Sequence, residues 1–138
     1  MKKILSIVLI LALTAILCAC GAPASEPGEK DTEEINEVYI ITTSEMGGCT
    51  LVTTFLFDDD MKLTGVSQKA DYTDTSRMTL EYSLVESDPD SFTDLVKDDN
   101  SFSCKLTKQG IESFYPDATY DSILKTAEDN GLTVETSK

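Results

Sequence analysis

The stretch VYIITTSEMGGCTLVTTFLF, residues 38 to 57, decides the fold. Val38, Ile40 and Thr42 alternate with Tyr39, Ile41 and Thr43, which is the period of a strand with one buried face. The run meets Met46-Gly47-Gly48-Cys49, and Leu51 to Phe57 resumes the alternation. Gly-Gly between two such runs predicts a two-residue hairpin, because both central residues can take positive φ. Phe57 leads into the polar turn Asp58-Asp59-Asp60-Met61-Lys62, after which Leu63 to Gln68 reads as the return strand with a bulge at Gly65. The chain therefore starts with a three-stranded meander.

Beyond the meander, Met78, Leu80, Tyr82 and Leu84 alternate with Thr79, Glu81 and Ser83, which predicts a fourth strand. Asp88-Pro89 reads as a helix start, with Asp88 as N-cap and Pro89 at the first position, and Phe92, Leu95 and Val96 share one face of the short helix expected after it. Phe102, Cys104 and Leu106 predict a fifth strand, and Lys108-Gln109-Gly110 a turn into Ile111 to Tyr115. Tyr120, Ile123, Leu124 and Ala127 form the stripe of an amphipathic helix, capped by Thr119 and stopped at Asn130-Gly131. Leu132 and Val134 make a last short strand. The expected class is α+β: an antiparallel sheet of about six to seven strands, with two helices on one face, in a single domain over residues 38–138.

Upstream, Lys2 and Lys3 precede an apolar run from Ile4 to Cys18. Its fifteen residues would reach about 22 Å as a helix, short of the ~30 Å hydrocarbon core, so residues 1–19 read as a signal peptide. The sequence Leu17-Cys18-Ala19-Cys20-Gly21 resembles the lipobox of bacterial lipoproteins. That resemblance implies that Cys20 is acylated on sulfur and becomes the mature N-terminus, held at the extracytoplasmic face of the cell membrane by its acyl chains. Cys18 stands where the pattern usually has Ala, Ser or Thr. As acceptor it would put the bulky Leu17 at the scission point. Residues 20–37 then form the lipidated cysteine and an acidic tether, with Pro23, Pro27, Gly28 and six carboxylates, too poor in apolar side chains to order itself.

The 138 residues carry 25 acidic and 11 basic side chains, a formal net charge of -14. Loss of Lys2 and Lys3 with the leader would leave 9 basic against 25 acidic side chains, or -16 over 119 residues. Phosphate binding needs a cationic stripe, so a nucleic-acid partner is excluded, as is a polybasic contact with anionic lipid. Histidine is absent, which removes Ser-His-Asp and Cys-His catalysis and every His-ligated metal site.

Four groups remain as candidates. Cys49 and Cys104, both on expected strands, suit a disulfide outside the cytoplasm, or else two buried thiols. Neither sits in a Cys-x-x-Cys turn, which argues against redox chemistry. Asp58 to Asp60, and Asp88, Asp90, Asp94, Asp98 and Asp99, could face a hard cation. A calcium loop, however, fails in both registers: Lys62 and Phe92 stand at position 5, and Leu63 and Thr93 at the glycine position. They read as solvated turns, so no metal and no cofactor is assigned. Arg77, the sole arginine, could clamp an anion or join a surface ion pair. The five tyrosines and five phenylalanines read as core and sheet-face residues.

The segment Tyr72-Thr73-Asp74-Thr75, then Ser91-Phe92-Thr93-Asp94-Leu95, and the closing Gly131-Leu132-Thr133-Val134 behind the lipobox make the chain similar to the YehR-like family of small bacterial lipoproteins. That family has a longer middle region and no assigned activity, so the resemblance carries over Cys20 alone and implies no reaction. The sequence reads as a lipid-anchored binding module of the cell envelope with a protein or small-molecule ligand, not an enzyme. The alternatives are a structural or inhibitory interaction domain and a carboxylate-dependent hydrolase.

Overall fold

Gly47 and Gly48 take φ of 55° and 77°, and the hairpin they close joins β1 (Val38–Met46) to β2 (Cys49–Phe57) in register from Val38↔Phe57 to Met46↔Cys49. Both glycines supply the left-handed backbone that a two-residue turn between twisted strands requires. The computed structural model describes residues 38–138, and the leader, Cys20 and the acidic tether lie outside the described residues. β3 (Leu63–Tyr72) returns along β2, with Gly65 opposite Leu56 but Leu63 opposite Phe57. The extra residue is thus Thr64, one place from the bulge expected at Gly65.

The described residues form one six-stranded antiparallel sheet in the order β4-β5-β3-β2-β1-β6, with three helices, so the class is α+β. β4 is Phe92–Lys97, β5 Ser101–Leu106 and β6 Thr133–Thr136; the helices are α1 (Thr75–Glu86), α2 (Lys108–Phe114) and α3 (Tyr120–Asp129). Directly opposed side chains point to the same face. The registers therefore put Ile40, Cys49, Phe55, Phe57, Val66, Ala70, Tyr72, Phe102, Cys104 and Leu106 on one inner face. All are buried, and Met78, Val85, Tyr120 and Ile123 from the helices complete the core. Aromatic pairs fix each helix to that face: Tyr82 of α1 on Phe102, Phe114 of α2 on Phe92, and Tyr120 of α3 on Phe57.

Two expected elements exchange identities. The segment expected as a fourth strand is α1. Asp74 accepts hydrogen bonds from the backbone N–H groups of Ser76 and Arg77, which caps the helix, and Arg77 pairs with Glu81 one turn on. Twelve residues without Gly or Pro then propagate it. Met78 and Val85 face the core, while Leu80, strand-like in the alternation, is 63% exposed.

The segment expected as a short helix is β4. Asp88 does cap, but what it caps is a turn: its carbonyl and its Oδ1 both accept from Ser91 N–H. A bulge between Thr93 and Val96, with Asp94 at φ 52°, then shifts the phase of the strand by one residue. Phe92 and Leu95 thereby reach the same core at a helix-like spacing of three.

A third departure is α2, which replaces the turn expected at Lys108-Gln109-Gly110. Thr107 caps it by accepting from Gly110 N–H, and Gly110 lies so close to Ser91 that a Cβ would stand 2.3 Å from the Ser91 carbonyl oxygen. α3 forms as the stripe predicts, with Thr119 and Ser122 in a capping box, and β6 follows Gly131.

Candidate functional site

Cys49 and Cys104 are both free and buried, and the expected bridge between them does not form. The register gives the reason. Cys49 lies opposite Tyr72 and Cys104 opposite Gln68, so the two flank β3 on different sides, four residues apart along it. Two strand spacings and four residue rises separate their Cα atoms by about 16 Å, whereas a disulfide needs about 4.4 to 6.8 Å. Burial pushes both thiols up, that of Cys104 to about 11, which keeps them protonated and poorly nucleophilic.

The aspartates serve turns and surface pairs. Asp58 Oδ1 accepts from Lys62 N–H at 2.9 Å, Asp88 Oδ1 from Ser91 N–H at 3.2 Å, and Asp94 pairs with Lys105 at 2.9 Å. Among the described residues, no three of the Cys, Asp and Glu side chains converge on one point.

Arg77 stands in the first turn of α1, at the centre of a polar cluster. Its Nε donates to Glu81 Oε1 at 2.8 Å and its guanidinium donates to the Gly47 carbonyl at 2.7 Å, while the Tyr72 hydroxyl donates to the other Glu81 oxygen. Burial, then the bond to Glu81, holds the Tyr72 phenol far above its ordinary range. Arg77 Nε, one of its terminal nitrogens and the Tyr72 hydroxyl each have an acceptor within the protein. The cluster ties α1 to the tip of the β1–β2 hairpin, and each oxygen of its carboxylate is engaged, one by Arg77 and one by Tyr72. The alternation puts Glu81 on a strand and Arg77 directly before it, where the two would not meet; their spacing of four is the signal for the pair.

A concave part of the surface lies at the C-terminal end of α2. A groove of about 470 Å³ runs between Lys62 and Leu63 on one side and Ile111, Glu112 and the segment from Tyr115 to Thr119 on the other. Two loops build it. Asp58 holds the first by accepting from Lys62 N–H, and a bridge between Lys62 and Thr119 joins it to the second. Leu63 N–H donates to Ala118 and Tyr120 N–H to Met61, so the floor is a small ladder. Met61 and Asp117, one in each loop, sit at φ 60° and 56°.

Tyr115 forms the groove's inner wall, its ring packed edge-on to Phe55 at 5.5 Å. Burial alone raises its phenol to about 12, with no hydrogen bond contributing. The residue as a whole is partly exposed at the groove. At neutral pH its hydroxyl is protonated and able to donate one hydrogen bond. Sequence reading treated Tyr115 as core, which its ring is; the hydroxyl becomes visible only once α2 places it.

Among the described residues, no helix covers the opposite face of the sheet. Tyr39 lies opposite Leu56, Ile41 opposite Thr54 and Thr43 opposite Val52, all partly exposed. No family model, curated protein or solved structure matches the chain.

Proposed function

We propose that this chain is a bacterial lipoprotein, kin to the YehR-like group, anchored through Cys20 at the extracytoplasmic face of the membrane, where it binds a small ligand and does no chemistry on it. The observation that carries the binding reading is the groove beside Tyr115. Its volume falls within the roughly 300 to 1,000 Å³ typical of ligand sites, and it mixes apolar walls with a few polar groups. The internally paired Tyr72–Glu81–Arg77 cluster and the protonated, buried thiols support binding over catalysis, since neither offers a free base or nucleophile.

The anchor is tested by growing cells with a labelled fatty acid: label is expected on the wild-type chain and lost in Cys20→Ala, and label retained by that variant sinks the anchor. Ligand capacity is tested by nuclear magnetic resonance on the full chain in detergent, titrated with cyclohexanol as a small neutral probe. Shifts are expected at Ile111 and from Tyr115 to Thr119, weakened in Tyr115→Phe; shifts confined to other regions overturn the reading. A second reading, a protein-interaction module, draws on the sheet face opposite the helices, with Tyr39, Ile41, Val52 and Leu56. It requires that Ile41→Lys with Val52→Lys abolish partner capture while groove binding persists.

A further inference from the structure

The groove's rim carries two exposed side chains of opposite charge, Lys62 and Asp117. Among the described residues, neither Lys62 nor Asp117 enters an ion pair, as holds also for Lys97, Lys138 and most of the carboxylates, so both side chains at the rim are free to meet a ligand. Glu112, the third charge at the rim, is held at 3.9 Å by Lys108. Lys62 pairs with Thr119 in the bridge at the groove, and Asp117 lies two residues before Thr119, so both charged residues line the same groove. The same lining includes the apolar Leu63, Ile111 and Ala118 and the ring of Tyr115.

We infer that the groove takes a small zwitterion with an apolar body, an α-amino acid or a short peptide, with its carboxylate on Lys62, its ammonium on Asp117 and its side chain on the apolar wall. This inference rests on the reading of the groove as a ligand site. The strongly negative protein favours cations in general, and Lys62 is what makes a plain cation the poorer fit. Mixed charge at a half-open rim gives modest affinity but clear discrimination, because a ligand lacking one charge leaves a side chain unpaired.

The test is isothermal titration calorimetry on the full chain in detergent with leucine and leucyl-leucine as probes. Saturable binding is expected for at least one of them. Leucinamide, which lacks the carboxylate, and N-acetylleucine, which lacks the ammonium, are expected to bind at least tenfold more weakly. Lys62→Gln and Asp117→Asn are each expected to weaken the zwitterion at least tenfold. Asn tolerates the left-handed backbone of position 117 as well as Asp does, so that variant keeps the loop. An amide or acetyl analogue that binds within threefold of leucine overturns the zwitterion. So does the absence of zwitterion binding in a protein whose groove still responds to cyclohexanol, and then the ligand-site reading stands without it. If neither cyclohexanol nor a zwitterion engages the groove, both fall.

Discussion

α1 and α3 cover the same sheet face and are held there by different physics. α3 presents Tyr120, Ile123 and Ala127, all buried, along one stripe, begins with a reciprocal capping box, and stacks Tyr120 edge-on against Phe57 at 5.3 Å. α1 has a thinner stripe of Met78, Tyr82 and Val85, with Tyr82 packed on Phe102. Only Met78 and Val85 are buried, Leu80 points outward, and the helix is joined to the hairpin by Arg77, Glu81 and Tyr72. One end of the core is thus closed by apolar area and the other by less of it together with a hydrogen-bonded latch. The contrast explains why a helix can form where hydrophobic periodicity points to a strand: capping and a charge pair add to what a thin apolar stripe supplies.

The largest effect expected from this contrast is on the apolar side. Ile123→Ala removes buried methylenes from beneath α3 and should destabilise the domain by about 2 to 5 kcal/mol, read by urea denaturation as a lower midpoint with unchanged slope. A loss under about 1 kcal/mol would show that α3 is not held by burial, and the contrast would fail.

Next comes alkaline pH, which should act on the α1 side. Cys49, Tyr72 and Cys104 all have their protonated forms favoured by burial, and Cys49 and Tyr72 face each other across the β2–β3 ladder beneath the latch. A group with a raised folded-state pKa contributes stability that is complete below its unfolded value and is lost as pH rises through the folded one. For Cys104 the window runs from 9.0 to about 11. Its shift corresponds to roughly 2 to 3 kcal/mol. Stability measured from pH 8 to 11 should therefore fall, and Cys104→Ala should flatten part of that fall. An undiminished slope in Cys104→Ala would remove this thiol from the account.

How far the sequence was legible follows the same division. The meander, β5, α3 and β6 were readable because each couples a clean period to a stop signal: Gly47-Gly48, Thr119, Gly131. The segment from Thr75 to Lys97 inverted because two local devices mimic the wrong period. In α1, Leu80 and Leu84 extend an apolar alternation that the helix spreads around its surface. In β4, the bulge at Asp94 turns a spacing of three into one strand face. The groove was illegible because it depends on α2 and on the Lys62–Thr119 bridge, a contact between loops more than fifty residues apart. The cysteine pair misled because its spacing carries no information about register. One slip of strand order separates neighbours from residues on opposite sides of β3.

The smallest expected effect lies in the latch itself. Arg77→Ala removes the donor to the Gly47 carbonyl and the cation beside Glu81, whose side chain is 13% exposed. Tyr72 still donates to Glu81, so the carboxylate is left with one bond and partial solvent, not stranded. An ion pair with one partner more than a third exposed is screened, which holds the loss to about 1 to 2 kcal/mol. Because that contact joins α1 to the hairpin and nothing else, the damage should be local. Hydrogen exchange should quicken in α1 and at Gly47-Gly48, while the amides of α3 keep their wild-type protection. Arg77→Lys keeps the charge but not the fork that reaches both Glu81 and Gly47, and should recover only part of the loss. Uniform acceleration across α1 and α3 in Arg77→Ala would mean that the two ends open as one unit, and the division between a latched helix and a packed one would dissolve.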